Sequence, residues 1–314
     1  MKFLDLFAGI GGFRLGMEAA GHECVGFVEI DKFARKSYEA IFKTEGEWTA
    51  HDITAVSDES IRSIGSVDII CGGFPCQAFS TAGKRRGFAD TRGTLFFEIA
   101  RFASIIKPRI LFLENVKGLL SHDGGNTFET ILRTLDELGY NVEWQVLNSK
   151  NFGVPQNRER VYIIGYLRGR SAGKIFPFGR SNRKTSSAVI GGNQTLKIKE
   201  GTKKGYSEAV PGDSVNTSRI NSRTRRGRVG KQLANTLLTG EGMAVVTENF
   251  KIRKLTPREC WRLQGFPDWA FERACEVNSD SQLYKQAGNS VTVNITFEIG
   301  KRLKEIDTMK EEQE

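Results

Sequence analysis

The chain has 314 residues, 39% of them hydrophobic and 26% charged, so it can fill a core and wholesale disorder is excluded. No apolar run approaches the roughly 20 residues that a membrane-spanning helix needs. Five cysteines are too few, and odd in number, for a disulfide framework. An acid at Asp5 interrupts the apolar stretch that a secretory signal requires. We therefore expect a soluble cytoplasmic protein with one large domain or two moderate ones.

The positive charge is concentrated in one segment. The formal net charge is +9, but Arg168–Lys231 alone holds 16 Lys/Arg and three Asp/Glu, an excess of 13, and the remaining residues net −4. A solvated basic loop is the simpler explanation for any single Lys or Arg. For a segment this long and one-sided, a polyanion-binding surface is an equally good explanation.

The first 170 residues alternate short apolar runs with amphipathic stretches. The runs predict strands at Lys2–Phe7, Glu23–Ile30, Val67–Gly72, Arg109–Glu114, Val142–Leu147 and Val161–Tyr166. The stretches between them predict helices at Gly12–Ala20, Lys32–Phe42, Leu95–Ile106 and Thr127–Leu138. This alternation is typical of a doubly wound, mainly parallel sheet, in which ligands bind at the carboxyl ends of the strands.

The pattern changes after Gly169. Residues 181–232 are rich in Ser, Thr, Asn, Gly and Arg and show little periodicity, whereas Leu233–Val246 resembles a strand. An apolar run, Val291–Ile299, precedes a charged tail, Lys301–Glu314, that we expect to fray. We predict two lobes, a catalytic α/β lobe of residues 1–180 with 285–314 and a smaller, basic, irregular lobe with a hinge at 181–284.

A glycine-rich turn follows the first strand, in Phe3–Gly12. The dinucleotide pattern G-x-G-x-x-G fails there because position 14 is Arg. A tight turn without a ligand is one explanation. However, Glu29 ends the second strand, where an acid commonly accepts hydrogen bonds from ribose hydroxyls, and Asp52 and Ile53 follow at a position suited to an adenine. These features favour an adenosine ligand such as S-adenosylmethionine.

Cys76 follows a Gly-Gly-Phe-Pro turn at the carboxyl end of the third predicted strand. A thiol there is either a catalytic nucleophile or a packed loop residue. Cys71, within the apolar run, is most simply a buried core thiol. The basic, glycine-flanked stretch Gly83–Gly87 is suited to a loop that closes over a phosphate backbone.

Glu114 emerges from a buried apolar run at the end of the next strand. A partly buried Glu can donate a proton, and a paired structural carboxylate is the alternative. Arg158 and Arg160 precede the strand after that, where they could pair with an acid or polarise a substrate carbonyl.

The ordered motifs of the chain resemble those of the DNA (cytosine-5) methyltransferases, in particular the small bacterial and phage modification enzymes. The matching segments are Phe-Leu-Asp-Leu-Phe-Ala-Gly-Ile-Gly-Gly (3–12), Gly-Phe-Pro-Cys-Gln (73–77), Glu-Asn-Val (114–116), Gln-Asn-Arg-Glu-Arg (156–160), Arg-Lys-Leu-Thr-Pro-Arg-Glu (253–259) and Gln-Ala-Gly-Asn-Ser-Val (286–291). The resemblance implies an α/β, Rossmann-like S-adenosylmethionine-dependent methyltransferase fold. It also implies a mixed sheet, a chain end that returns to the catalytic domain, and a second, smaller, irregular DNA-recognition domain.

The resemblance implies a reaction that begins with attack of Cys76 on carbon 6 of a flipped cytosine. Glu114 would contact ring nitrogen 3, Arg160 would polarise oxygen 2, and Arg158 would support the site. No side chain is evident as the base that removes the carbon 5 proton.

The resemblance also assigns binding residues, with S-adenosylmethionine as cofactor, S-adenosylhomocysteine as product, and no metal. The cofactor residues are Phe7, Gly9, Gly11, Glu29, Ile30, Asp52, Ile53, Pro75, Leu95 and Asn289. The DNA-contacting residues are Gln77, Ser80, Lys84, Arg85, Arg223, Arg225, Arg226, Arg228 and Thr236, most of the arginines being phosphate contacts. The expected partner is double-stranded DNA, bound by a monomer without a membrane, alongside a cognate restriction endonuclease.

Three alternatives predict different features. A tRNA cytosine-5 methyltransferase shows another triplet where this chain has Pro-Cys-Gln. A non-catalytic DNA-binding relative would carry a damaged nucleophile or cofactor motif, and the main motifs here are complete. A dinucleotide oxidoreductase needs the glycine spacing that fails at Arg14.

Overall fold

Two units make up the computed structural model of the chain. The first comprises residues 1–147, 159–179 and 295–314, and the second comprises residues 148–158 and 180–294. The structure describes residues 1–75, 95–169, 174–179, 194–218, 222, 224–240 and 242–311. None of the helices in these ranges is both long and apolar enough to cross a membrane.

The first unit is built on a seven-stranded sheet. Its strands are β1 (Lys2–Leu6), β2 (Glu23–Val28), β3 (Trp48–Ala50), β4 (Ile69–Gly73), β5 (Ile110–Val116), β6 (Tyr140–Asn148) and, after the short β7 (Gln156–Asn157) of the second unit, β8 (Glu159–Leu167). The spatial order is β3-β2-β1-β4-β5-β8-β6. The strands from β3 to β5 pair in parallel, and β8 pairs antiparallel with β5. The sheet is therefore mixed, as expected.

Helices connect and cover these strands. They are α1 (Gly12–Ala19), α2 (Lys32–Ile41), α3 (Asp58–Arg62), α4 (Leu95–Ile106) and α5 (Asn126–Glu137). The six strands and four helices predicted in the first 170 residues are confirmed, with ends that differ by at most two residues. Cys71 is fully buried in β4, which confirms its prediction as a core thiol, and this burial raises its pKa well above the usual value.

The chain end returns to the first unit as α9 (Val293–Glu311), as the resemblance implied. The Thr296 hydroxyl donates to the Gly12 carbonyl at 3.0 Å, and Arg109 pairs with Asp307 at 2.7 Å. Leu303 is buried. The prediction that the tail frays is therefore wrong for residues 301–311, because their helix packs against the unit that begins the chain.

The second unit contains short strands and a helical cluster. The strands are β7, β9 (Leu196–Lys199), β10 (Tyr206–Ala209), β11 (Ser214–Asn216), β12 (Val229–Gly230), β13 (Ala234–Asn235), β14 (Met243–Val246) and β15 (Ile252–Lys254). β9 pairs with β10, β13 pairs with β7, and the other four form the sheet β12-β11-β14-β15. The described part of 181–232 is thus less irregular than expected, and Leu233–Val246 contains two strands instead of one.

Three helices complete the second unit: α6 (Pro257–Leu263), α7 (Asp268–Cys275) and α8 (Asp280–Asn289). The buried Trp261 ring packs edge-on against Phe266 and Phe271, and its indole N–H donates to the Leu283 carbonyl at 3.0 Å. The unit also includes residues 148–158 and 285–294, which the sequence had assigned to the catalytic domain. These two segments belong to the same unit because they contact each other: the hydroxyl groups of Ser149 and Thr292 lie 2.8 Å apart.

Candidate active site

The turn between β1 and α1 has an unusual backbone. Phe7, Gly9 and Gly11 all have positive φ angles, of 56°, 57° and 81°. A positive φ at a bulky residue such as Phe7 is strained, and such strain concentrates at functional sites. Apart from its chain neighbours, no described residue has an atom within 4 Å of the position that a Cβ of Gly9 would occupy. The turn therefore presents bare backbone next to open space.

The buried side chain of Arg14 packs next to this turn. Arg14 forms a bidentate ion pair with Glu47, at 2.7 and 2.8 Å, and its guanidinium lies 4.5 Å from the centre of the Phe42 ring. A Cβ at Gly11 would overlap that ring. Arg14, which interrupts the dinucleotide pattern in the sequence, therefore stabilises the packing beneath the turn.

Glu29 follows β2 and joins this turn to the neighbouring loop. One carboxylate oxygen accepts the N–H of Gly9 and the other accepts the N–H of Asp31, both at 2.7 Å. Burial raises the pKa of the Glu29 carboxyl, and these two N–H donors partly offset that effect. The next side chain, Ile30, is 68% exposed. The Glu29 carboxylate, which can accept further hydrogen bonds, therefore lies next to the solvent-exposed side chain of Ile30.

The remaining residues predicted to bind the cofactor in the first unit lie in loops and helix ends. Asp52 caps the turn that contains the buried Ile53, and hydrogen bonds from Thr54 lower the Asp52 pKa. Pro75 is exposed after β4, and Leu95 is the first residue of α4. Like Gly9 and Glu29, Asp52 and Pro75 follow carboxyl ends of parallel strands, where such sheets bind ligands.

These features fit an adenosine-containing cofactor. A ribose needs hydroxyl acceptors such as Glu29, and an adenine ring needs an apolar surface such as Ile30. The open space at Gly9 allows a ligand to approach the backbone closely. Within the described part of the chain, no three His, Cys, Asp or Glu side chains are grouped to hold a metal ion.

The segment that leads to Cys76 is held by Asn115, a residue that the sequence analysis did not single out. The Asn115 amide donates to the Phe74 carbonyl at 2.8 Å, and its side-chain oxygen accepts the N–H of Val116. The sequence shows only an amide after the apolar run Ile110–Leu113, and the burial of Asn115, which is 2% exposed, is visible only in the structure. Several predicted residues lie outside the described ranges: Cys76, Gln77, Ser80, Lys84 and Arg85.

Glu114 and Arg160 lie together at the carboxyl edge of the sheet. Arg160 Nε lies 3.1 Å from Glu114 Oε1, and the two side chains are only 13% and 10% exposed. Because β8 runs antiparallel to β5, Val116 is paired with Arg160, so the start of β8 meets the end of β5. The structure thus brings together two residues predicted to act on one ring.

Arg158 is buried in the second unit. Its Nη2 donates to the carbonyl oxygens of Gly288 and Ser290, at 3.1 and 2.7 Å. These carbonyls flank Asn289, the last residue of α8. Arg158 therefore holds the segment that carries the predicted cofactor residue Asn289.

The residues predicted to contact DNA in the second unit differ in exposure. Arg226 is exposed, Arg225 is partly exposed, and Thr236 donates to the Asn157 carbonyl at 2.8 Å. Arg228 does not fit the prediction. It is only 1% exposed, and its guanidinium donates to main-chain carbonyls at 3.1 and 3.2 Å, which gives it a structural position. Arg223 lies outside the described residues.

Comparison with known proteins identifies the family. The model of the C-5 cytosine-specific DNA methylase family matches residues 1–188 and 180–305. Type II methyltransferase M.HhaI of Haemophilus parahaemolyticus is 40% identical over 96% of this chain and 95% of its own length. M.HpaII of Haemophilus parainfluenzae is 41% identical over 96% of this chain and 89% of its own length.

Solved structures agree on the fold. The Dnmt2 methyltransferase of S. pombe aligns over 98% of this chain and 99% of its own, with a TM-score of 0.65 and 20% identity. The methyltransferase EhMeth of Entamoeba histolytica aligns over 98% of both chains, with a TM-score of 0.62 and 18% identity. At these identities the likeness concerns the fold alone.

Proposed function

Because the chain belongs to the C-5 cytosine-specific DNA methylase family, we propose that it methylates carbon 5 of a flipped cytosine through a covalent bond to Cys76. Its activity is that of a DNA (cytosine-5-)-methyltransferase, which acts on DNA. The observation that carries the proposed mechanism is the pairing of Glu114 with Arg160. This pair lies at the same edge of the sheet as Phe74 and Pro75, the two residues that precede Cys76 in the chain.

Carbon 5 of cytosine is a poor nucleophile until carbon 6 is attacked. In the proposed reaction the Cys76 thiolate forms a bond to carbon 6, and the electron pair of the 5,6 double bond moves to carbon 5. Asn115 positions this step by holding the Phe74 carbonyl two residues before Cys76. Because carbon 6 is inaccessible inside a stacked duplex, the cytosine must first leave the helix.

Glu114 and Arg160 bind the ring in this reaction. Because nitrogen 3 of cytosine carries a lone pair and no hydrogen, Glu114 takes up a proton as the base binds and donates a hydrogen bond to nitrogen 3. The Arg160 guanidinium polarises oxygen 2, so charge developing in the ring is stabilised. Their ion pair fixes both side chains before the base enters, which reduces reorganisation. After methylation, a water molecule accepts the carbon 5 proton, the electron pair of that C–H bond restores the 5,6 double bond, and the bond from carbon 6 to sulfur breaks and releases Cys76 as thiolate.

The proposed cofactor is S-adenosylmethionine. Glu29 would accept hydrogen bonds from the ribose hydroxyls, Ile30 would pack on the adenine, and the turn at Gly9 would leave room for the cofactor to approach the backbone. When bound, the cofactor supplies a methyl group from a positively charged sulfur and leaves as S-adenosylhomocysteine. The proposed chemistry requires no metal ion, since Cys76 is the nucleophile. The other proposed cofactor-binding residues are Phe7, Gly11, Asp52, Ile53, Pro75, Leu95 and Asn289.

The basic segment Arg168–Lys231 is the proposed DNA surface. The three acidic residues of the segment offset only a small part of its positive charge. Glu200 and Asp213 are buried and accept main-chain N–H groups, and Glu208 pairs with Lys204 at 3.0 Å. Among the described residues of the segment, the charge that faces solvent is therefore mainly basic. The proposed contacts are Gln77, Ser80, Lys84, Arg85, Arg223, Arg225, Arg226 and Thr236, without Arg228.

We further propose that the enzyme acts as a monomer in the cytoplasm, close to the nucleoid through its DNA substrate. The relatives M.HhaI and M.HpaII are named Type II methyltransferases, which supports a cognate restriction endonuclease in the same cell.

The test of the mechanism is covalent trapping. Bisulfite sequencing of DNA from expressing cells first identifies the recognition sequence. Oligonucleotides with 5-fluorocytosine at the target, incubated with protein and tritiated S-adenosylmethionine, should then trap an adduct on a denaturing gel, because fluorine cannot leave as the proton does. We expect Cys76→Ser to abolish the adduct.

Cys275→Ser is the matched control, since Cys275 is exposed in the second unit, and it should trap the adduct as the unmodified protein does. An adduct formed by Cys76→Ser would show that another residue is the nucleophile. Label on tRNA but not on DNA would contradict the proposed substrate.

A further inference from the structure

The backbone between β2 and α2 is held by the side chain of Arg35. Its Nη1 atom donates to the main-chain carbonyl oxygens of Glu29 and Ile30, both at 2.8 Å. This nitrogen carries two hydrogens, so each carbonyl can receive one. Arg35 lies in the first turn of α2, where side chains tilt back towards the start of the helix. It is thus placed to bind the two residues proposed to contact adenosine.

This pair of hydrogen bonds selects one backbone conformation. In an extended strand, successive carbonyl groups point to opposite sides, so a single nitrogen cannot reach both. The carbonyls of Glu29 and Ile30 converge on Arg35 because the chain has left the extended conformation after Val28, the last residue of β2. Arg35 therefore stabilises the bent conformation relative to an extended one.

The bent conformation determines what the loop presents. It places the Ile30 side chain in water, 68% exposed, and brings the N–H of Asp31 to the Glu29 carboxylate. An exposed isoleucine is unfavourable by itself, so the conformation needs a stabilising contact. The two Arg35 hydrogen bonds provide one.

Helix stability does not account for this arginine. The first turn of α2 has no acidic residue, and Arg35 brings a positive charge to the positive end of the helix dipole. The helix already has a cap, because the Asp31 carboxylate accepts the N–H groups of Phe33 and Ala34. A basic residue is therefore disfavoured here unless it serves another contact.

We propose that Arg35 is a positioning residue for the cofactor, which holds Glu29 and Ile30 in the conformation that binds the adenosine portion. The inference rests on the proposed cofactor site. Arg35 acts through the backbone of Glu29 and Ile30 and does not itself contact the ligand, and its positive charge also lowers the pKa of the Glu29 carboxyl. Its removal should leave the fold intact, since the two carbonyls lie at a partly exposed loop where water can replace the guanidinium.

The test is equilibrium binding of S-adenosylmethionine, S-adenosylhomocysteine and adenosine to the full chain, measured by titration calorimetry. We expect Arg35→Ala to raise the Kd of all three by a similar factor, on the order of tenfold, because the free loop must now be ordered on binding. Arg35→Lys, which can still reach a carbonyl, should recover part of the affinity. The KM for DNA should not change.

Lys36→Ala is the matched control, since Lys36 is the adjacent, exposed cation on the same helix. If Arg35→Ala and Lys36→Ala lower the affinity for the cofactor equally, the effect is due only to the loss of a positive charge, and the proposal is overturned. A loss for S-adenosylmethionine but not for adenosine would show direct contact with the amino-acid portion, and would also overturn it. If Arg35→Ala leaves the Kd unchanged while Glu29→Ala raises it, only the role of Arg35 is refuted. If neither variant changes the Kd, the proposed cofactor site itself is refuted.

Discussion

Glu29 joins two loops of the proposed cofactor site through one carboxylate. Its oxygens accept the N–H groups of Gly9 and Asp31, and each retains a lone pair for a ribose hydroxyl. Burial raises its pKa, so protonation begins at a higher pH than for a solvated glutamate. The ionisation of this side chain should therefore control cofactor affinity.

We expect S-adenosylmethionine to bind fully above the pKa of Glu29 and less well as the pH falls through it, because a protonated carboxyl loses acceptor capacity. Glu29→Gln should weaken binding by about 2 kcal/mol and remove this pH dependence. Calorimetric titration over the pH range in which the protein stays folded measures both effects. Glu23→Gln, at the start of the same strand, is the control, and pH-independent binding by the unmodified protein would contradict the assignment.

Arg158 and Arg228 show how similar side chains in the same unit can serve structure. Both guanidinium groups are almost fully buried and donate to main-chain carbonyls, Arg158 at Gly288 and Ser290. Burial of a guanidinium is costly unless its hydrogen bonds are made, so these bonds are needed for folding. Charge by itself did not distinguish these residues from the exposed Arg226.

The N-terminus of helix α6 is determined by residues that are adjacent in the sequence. Thr256 accepts the N–H of Glu259 at 3.3 Å, and Glu259 in turn accepts the N–H of Thr256 at 2.7 Å, which forms a capping box with Pro257 in the first turn. Hydrogen bonds from Arg253 lower the pKa of Glu259 to about 2, so its carboxylate remains ionised and able to accept. The motif 253–259 therefore has a structural explanation of its own.

Thr256→Ala should destabilise the protein by about 1 kcal/mol, because it removes an acceptor from the helix terminus. Ser279→Ala is the control, since Ser279 precedes α8 without a side-chain hydrogen bond to the helix backbone. Chemical denaturation followed by the fluorescence of the four tryptophans, of which Trp261 is fully buried, measures the two midpoints. Equal losses for the two variants would show that the capping box contributes no specific stability.

At the scale of the whole molecule, the charge is divided between a slightly acidic majority and one basic segment. Exposed lysines of that segment lie on and beside β9, at Lys197, Lys199 and Lys203. Each phosphate contact adds about 0.9 to the slope of log affinity against log salt concentration. Binding to DNA should therefore weaken steeply with salt.

Replacing Lys197, Lys199 and Lys203 by Ala should lower that slope by roughly 0.9 for each lysine that contacts phosphate. It should leave cofactor affinity unchanged. Fluorescence anisotropy with a labelled duplex over a salt series measures the slope. Lys43→Ala, an exposed lysine of the first unit, is the control, and an unchanged slope in the triple variant would locate the phosphate contacts elsewhere.

The sequence alone determined six strands and four helices of the first 170 residues, in their chain order, and the family motifs, since periodicity and motif spacing are local properties. The short elements β3, β7 and α3 were not predicted. Asp5 and Cys71 could be assigned to strands from these patterns, whereas Glu29, which the predicted strand Glu23–Ile30 included, lies just after β2. The positive φ of Phe7 and the role of Asn115 were not visible, because each depends on contacts with other elements.

Tertiary structure decided which residues meet. The Glu114–Arg160 pair depends on the antiparallel register of β5 and β8, and the burial of Arg228 depends on carbonyls of a neighbouring strand. Arg158 reaches Gly288 across 130 positions of the chain. Residue type and local spacing specify which chemistry is available, whereas packing between distant segments specifies which groups face a ligand and which hold the fold.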